Sequence, residues 1–355
     1  MERSRISRDF LLATAVAVLA PALVATWIGI KLGGGRTTLW VDDLATPLAA
    51  GIACVACLRA RAWHEGRMRL FWTLLSCATA CWTLAEVVWG AYALILNETV
   101  PSPSWADAGY LAAIPLTVAA LVVHPATTGN GRHKARSVFD GMVIATALLF
   151  LSWTLVLGSL WHSTNLSTAG GLVALAYPFG DVVIVFFIVL AIRGMTGDHR
   201  LSLWCLLAGL LAMALSDSTF TYLNETSSYQ SSSGHVIDAG WIAAYLGIAL
   251  AAFSSREDRA RVPSVEISRP SLASLVSPLV PVFIALSVVA LQTKLGHHLD
   301  HAAWLMAFAL IALVLIRQAL AILELLGPGP NGTADFTQRL TDTALGGLAI
   351  EEQPR

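Results

Sequence analysis

The sequence predicts an all-α integral membrane protein of about ten transmembrane helices, arranged as two parallel four-helix repeats plus a final helix pair. Three observations predict it. Of the 355 residues, 56% are hydrophobic and 13% charged, where a soluble domain carries roughly 25% charged residues. Ten apolar runs, each near the ~20 residues that cross ~30 Å of hydrocarbon, follow one another between charged or Gly/Pro-rich breaks. Lys and Arg then fall almost entirely in every second loop. A net charge of -1 offers no basic surface for phosphates, so nucleic acid is excluded as a partner.

Taken in order, the expected spans are 10–30, 41–58, 70–95, 107–124, 138–161, 171–192, 201–222, 238–253, 274–293 and 301–322. The first follows Arg3, Arg5 and Arg8, as a signal peptide would. Its apolar run is too long for a signal core. With the N-terminus inside, the basic residues before the first span, Arg59 to Arg69, Arg132 to Arg136, Arg193 and Arg200, Arg256 to Arg269, and Arg317, Arg339 and Arg355 all face the cytoplasm. Only Lys31, Arg36 and Lys294 face out, so 19 of the 22 basic residues lie inside. One helix more or fewer would scramble that alternation. The prediction is a multi-pass protein of the cell membrane with both termini cytoplasmic.

The chain also repeats itself. One constant offset, without a gap, aligns Asp9 with Asp140, Pro47 with Pro178, Arg69 with Arg200, Glu86 with Asp217 and Asp107 with Asp238. The string Asp107-Ala-Gly-Tyr-Leu-Ala-Ala113 faces Asp238-Ala-Gly-Trp-Ile-Ala-Ala244, seven consecutive positions identical or chemically close. Asn97-Glu-Thr99 and Asn224-Glu-Thr226 match at an offset shorter by about one helical turn, which predicts a shorter third helix and a longer following loop in the second copy. The expected organisation is a first repeat at 5–125, a second at 136–256, a final helix pair at 270–326 and a disordered cytoplasmic tail at 327–355. A unit of four helices re-enters the membrane in the same sense, so the copies are parallel rather than inverted.

The Trp-rich helix with Trp82, Glu86 and Trp89, followed by Pro101-Ser-Pro-Ser-Trp-Ala-Asp-Ala-Gly-Tyr-Leu-Ala112, resembles the multi-span N-terminal sensor region of bacterial, especially actinobacterial, GGDEF/EAL cyclic-di-GMP signalling proteins. The stretch Arg317-Gln-Ala-Leu-Ala-Ile-Leu-Glu324 is similar to the helix by which such proteins leave the membrane toward an output domain. Here that helix meets Gly327-Pro-Gly-Pro330, and no GGDEF, EAL, nucleotide-binding or kinase string occurs. The resemblance therefore implies a sensor role alone, without catalysis.

Ionisable groups inside a bilayer are costly and mark functional positions. Glu86, Asp217 and Asp181 are the expected ligand-binding or protonatable residues, with Trp89, one turn from Glu86, as an aromatic wall. The competing reading is that each carboxyl is satisfied locally, by Ser216, Ser218 or Thr219 for instance. Asp107 and Asp238 are expected to cap new helices, and Pro47 and Pro178 to be structural. His297 and His301 share the spacing of one helix face, with Asp300 beside them, too few ligands to define a metal site. Cys54, Cys57, Cys77 and Cys81 are read as small buried hydrophobes. Asn97, Asn165 and Asn224 are given no role.

The leading functional expectation is a non-enzymatic sensory or regulatory module that signals through its last helix to a cytoplasmic protein in trans, docking near 254–270 or 317–326. The alternative is a small-solute transporter or permease that uses the intramembrane carboxylates. Expected partners are the lipid bilayer and that signalling protein, with a homo-oligomer left open; no cofactor is expected.

Overall fold

The computed structural model describes residues 7–96, 98–101, 103–128, 132–158, 161, 168–194, 201–226, 228–229, 234–260, 279–296 and 298–326. Among these it holds ten helices and no strand, the all-α class expected. They are α1 (Arg8–Ile30), α2 (Gly35–Trp63), α3 (Gly66–Gly90), α4 (Trp105–Val123), α5 (Arg132–Ser152), α6 (Thr168–Gly194), α7 (Leu201–Glu225), α8 (Asp238–Ala260), α9 (Val280–Lys294) and α10 (His301–Leu326). A π-helical turn prolongs α3 through Ala91–Leu96 and another prolongs α5 through Trp153–Leu157. Nine of the described helices are long and apolar enough to cross a membrane, and α9 is a shorter apolar helix. The protein is thus a multi-span membrane protein. The tail 327–355, His297, Asn97, Asn165 and much of 254–270 lie outside the described residues.

Local chemistry sets the helix ends. Ser7 caps α1 by accepting the Phe10 amide at 3.1 Å, and Lys31 ends it in the left-handed region at φ 50°. At α4, Ser104 and Asp107 form a capping box, the Asp107 carboxylate taking the Ser104 amide at 2.6 Å. At α8 the Asp238 carboxylate takes the His235 amide at 2.8 Å. Both acids therefore satisfy helix-start amides, as expected, but from inside the first turn, reaching back toward the preceding loop.

Six helices close a ring: α2 packs on α3, α3 on α4, α4 on α6, α6 on α7, α7 on α8, and α8 returns to α2. Outside it, α1 lies against α8, α5 against α6, and α9 and α10 against α5. The repeat offset maps α2, α3 and α4 onto α6, α7 and α8, so the two seams, α2 with α8 and α6 with α4, exchange under it. Glycines record the same relation. A Cβ at Gly109 would stand 2.9 Å from Ala85 Cβ and from the Cys81 carbonyl, and one at Gly240 would strike the Ser216 side chain. Gly109 with Ala85 and Gly240 with Ser216 are equivalent pairs under the repeat. Residues 97–104 separate the π-turn of α3 from α4, whereas the longer stretch 226–237 separates α7 from α8.

The ring interior is layered. Toward the end that carries the Arg-rich connections, which we term the basic end, it is apolar: Cys57, Phe71, Trp72, Leu75, Leu121, Ile188, Leu206 and Ala252 are all buried in one core. Leu75 and Leu206 are equivalent under the repeat, as are Cys57 and Ile188. A satellite core joins α5, α9 and α10 around Val143, Phe150, Ala285 and Leu310. Exposed apolar side chains such as Leu11, Val16 and Leu23 on α1, Leu48 on α2, and Trp304, Leu305 and Phe308 on α10 form the outer surface, as the hydrocarbon requires.

One basic residue departs from the expected distribution. Arg317, counted with the cytoplasmic charges, is buried within α10 and its Nε donates to Asp140 Oδ1 of α5 at 2.8 Å. A guanidinium at membrane depth needs such a partner.

Candidate functional site: a carboxyl layer inside the ring

Beyond the apolar layer, away from the basic end, the ring interior becomes acidic. Glu86 of α3 is 7% exposed, and its Oε1 accepts the Tyr245 hydroxyl at 2.7 Å. Because α2 stands between α3 and α8 in the ring, that bond crosses the interior. Tyr110 of α4 stands close enough to act on the same carboxyl. On the far side, Asp217 Oδ1 of α7 accepts the Trp241 indole N–H of α8 at 2.6 Å. Tyr110 and Trp241 occupy equivalent places in the two copies, so each half sets one aromatic side chain of its fourth helix beside its carboxyl.

Asp181 of α6 is 9% exposed. Its charge interacts with that of Asp217, and its Oδ2 has no hydrogen-bond partner among the described residues. The charge of Asp217 also reaches Glu86, as a minor contribution. Thus the structure brings three of the sequence-predicted residues into one layer. Trp89 stands to the side. Its ring packs edge-on against Phe220 at 6.0 Å, and Phe220 meets Trp241 at 5.7 Å, so Trp89 backs Asp217 through two aromatic contacts.

Among the described residues of the ring helices the layer holds no Lys or Arg. No Lys or Arg stands between Arg36 and Arg59 in α2, after Arg69 in α3, anywhere in α4, before Arg193 in α6, anywhere in α7, or before Arg256 in α8. Asp140, by contrast, has Arg317. Carboxyls gathered without a counter-charge in a low-dielectric interior take up a cation or a proton, since desolvation and mutual repulsion both oppose the bare anions.

Several participants escaped the sequence reading. Tyr110, Tyr177 and Tyr245 look like ordinary aromatic positions of apolar helices; only Tyr110 carried a signal, as the counterpart of Trp241 in the duplicated string. Tyr177 of α6 donates its hydroxyl to Asp107 Oδ1 of α4. Asp42 and Asp43 of α2 were also missed, although two adjacent acids opening an apolar run are unusual enough to notice. Asp42 is buried beside Asp238.

The remaining candidates have local explanations. Asp300 accepts the Ala303 amide at 2.8 Å and the Trp153 indole N–H at 3.1 Å, which caps α10 and ties it to the end of α5. Among the described residues no three His, Cys, Asp or Glu converge as a metal would require. The five thiols are free; of the four read as buried only Cys57 is, since Cys54 and Cys81 are partly exposed and Cys77 lies on the outer surface of α3, and Cys54 donates to the Ser76 carbonyl at 3.6 Å.

No protein-family profile matches the chain, and no solved structure matches it. A stretch of 175 residues, 48% of this chain, is 32% identical to the Na(+)/H(+) antiporter NhaA of Rhizorhabdus wittichii. The match covers 38% of that protein, so the chain spans well under half the length of this relative.

Proposed function

We propose that the chain is a small-solute transporter in which Glu86, Asp181 and Asp217 take up and release protons inside the six-helix ring. The observation that carries this reading is the burial of three carboxyls from three helices of the ring, one with an oxygen that has no hydrogen-bond partner among the described residues, at a depth where the ring sequence has no Lys or Arg. The likeness to an antiporter, though partial, points the same way. It supports the transport alternative more than the regulatory reading that the GGDEF/EAL resemblance put first.

Physically, the apolar layer around Trp72, Leu75 and Leu206 is a barrier that a charged solute crosses only if the ring rearranges. Gain and loss of protons at the carboxyls supplies the differential binding that any such rearrangement needs. We place the basic end toward the cytoplasm on the loop-charge rule, which puts the carboxyl layer nearer the external surface. No catalytic step is assigned.

The test is flux in vesicles containing the purified protein. An imposed sodium or pH gradient should dissipate faster than in empty vesicles, and Glu86→Gln, Asp181→Asn and Asp217→Asn should each remove most of that flux. Absence of flux from folded protein, together with a signalling protein crosslinked to 254–270 or 317–326, would return the regulatory module to first place.

A further inference from the structure

The two seams of the ring use the same acid in different ways. Asp107 of α4 and Asp238 of α8 are equivalent under the repeat offset, and they take the backbone amides of Ser104 and His235 respectively. At the seam between α4 and α6, the partner reaching across is the Tyr177 hydroxyl. At the seam between α2 and α8, it is the carboxyl of Asp42. The position equivalent to Asp42 in α6 is Val173, so this acid pair has no counterpart in the other half.

A phenol donates whenever it holds its proton, which covers the physiological range. A carboxyl donates to another carboxyl only while a proton lies between them, and two touching carboxylates repel. Both acids are enclosed, Asp42 at 4% and Asp238 at 5% exposure, so solvent does little to screen that repulsion. Asp42 Oδ1 is buried without a hydrogen-bond partner among the described residues. On the other side, the Gly234 backbone comes so near that a Cβ there would lie 2.9 Å from Asp42 Oδ2.

We propose that Asp42 and Asp238 form a second proton-binding site, whose single shared proton latches α2 to α8 and whose loss releases that seam while the Tyr177–Asp107 seam stays shut. The ligand is the proton, because two enclosed carboxyls facing each other share one most readily. Groups from the neighbouring elements face the pair. Asp43 lies beside Asp42 on α2 and adds negative charge. Tyr229 donates its hydroxyl to Asp238 Oδ1 at 3.2 Å, and burial beside that carboxyl holds its phenol well above the ordinary range, so it remains a donor. The His235 amide donates to Asp238 Oδ2 at 2.8 Å, and its ring is near Asp238. Glu86 of α3 contributes a longer-range field. The latch rests on the transport reading for its purpose but not for its existence.

Infrared spectroscopy of the full chain in lipid nanodiscs, with isotope-labelled aspartate, tests the shared proton. Among the protonated aspartic carbonyl bands, one that disappears on raising the pH should be lost in both Asp42→Asn and Asp238→Asn and kept in Asp181→Asn and Asp217→Asn. Hydrogen exchange tests the release. In the wild type, protection of 234–240 should fall on raising the pH beyond the intrinsic rate change. In Asp42→Asn, whose amide always donates, protection should persist. Absence of any band lost in both Asp42→Asn and Asp238→Asn yet kept in Asp181→Asn and Asp217→Asn, or wild-type protection that ignores pH, overturns the proposal. The wild-type measurements stand even if a variant misfolds. Loss of flux in Glu86→Gln with the band intact, or an intact latch in a protein that transports nothing, separates this proposal from the transport reading.

Discussion

The ion pair between α5 and α10 allows a sharp prediction. Asp140 and Arg317 are buried, with Nε to Oδ1 at 2.8 Å, and Arg317 also reaches Gln318 Oε1 at 3.2 Å. Removing one partner strands the other's charge where water cannot reach it, a loss of about 3–5 kcal/mol in buried pairs. Replacing both with apolar residues of similar volume removes the desolvation cost along with the attraction, and such exchanges are often neutral or favourable. Asp140→Leu and Arg317→Met should therefore each lower the thermal midpoint in detergent by many degrees, while the double variant recovers most of the loss. The coupling read from that cycle should exceed about 2 kcal/mol, within the upper range for residues in contact. If the double variant is as unstable as the sum of the singles, packing of the satellite core, not charge, holds the last helix pair, and the reasoning fails.

Three further outcomes follow from the same geometry. Gly109→Ala should destabilise by roughly 1–3 kcal/mol, because its methyl meets backbone and Ala85, whereas Gly240→Ala should cost less because the Ser216 side chain can rotate away; paired thermal melts decide the order. His124, just past α4 and edge-on to Phe71 at 4.9 Å, is held neutral by burial, its imidazole lowered from 6.5 to about 4. A depressed histidine gives stability that is complete above pH 6.5 and lost as the pH falls toward 4. Melting curves for His124→Gln should accordingly be flatter than wild type across that window, by up to about 3 kcal/mol. Asp300→Ala should cost about 1 kcal/mol through the lost α10 cap, and Asp300→Asn much less; equal losses would discount the cap.

The span positions, the internal recurrence and the three deep carboxyls were legible in the chain itself. The hydrocarbon demands about twenty apolar residues per crossing and penalises each ionisable group placed among them. Those constraints act on residues locally, so they leave a linear trace. Duplication leaves another, since Asp107 and Asp238 keep their neighbours as well as their role.

What only the tertiary structure decided is which helices face one another. Nothing in the spacing of Tyr245 says that its hydroxyl reaches across the interior to Glu86, that Arg317 withdraws from the charged end of α10 to meet Asp140, or that Asp42 lies on Asp238 while Tyr177 lies on Asp107. In a bilayer nearly every helix is apolar all round, so periodicity carries little information about its inward side. Partner choice is settled instead by small residues that allow close approach and by polar groups that must find one another. Such pairings link residues far apart in sequence, at 159 positions for Tyr245 and Glu86 and 177 for Arg317 and Asp140, and only the closed ring brings them together.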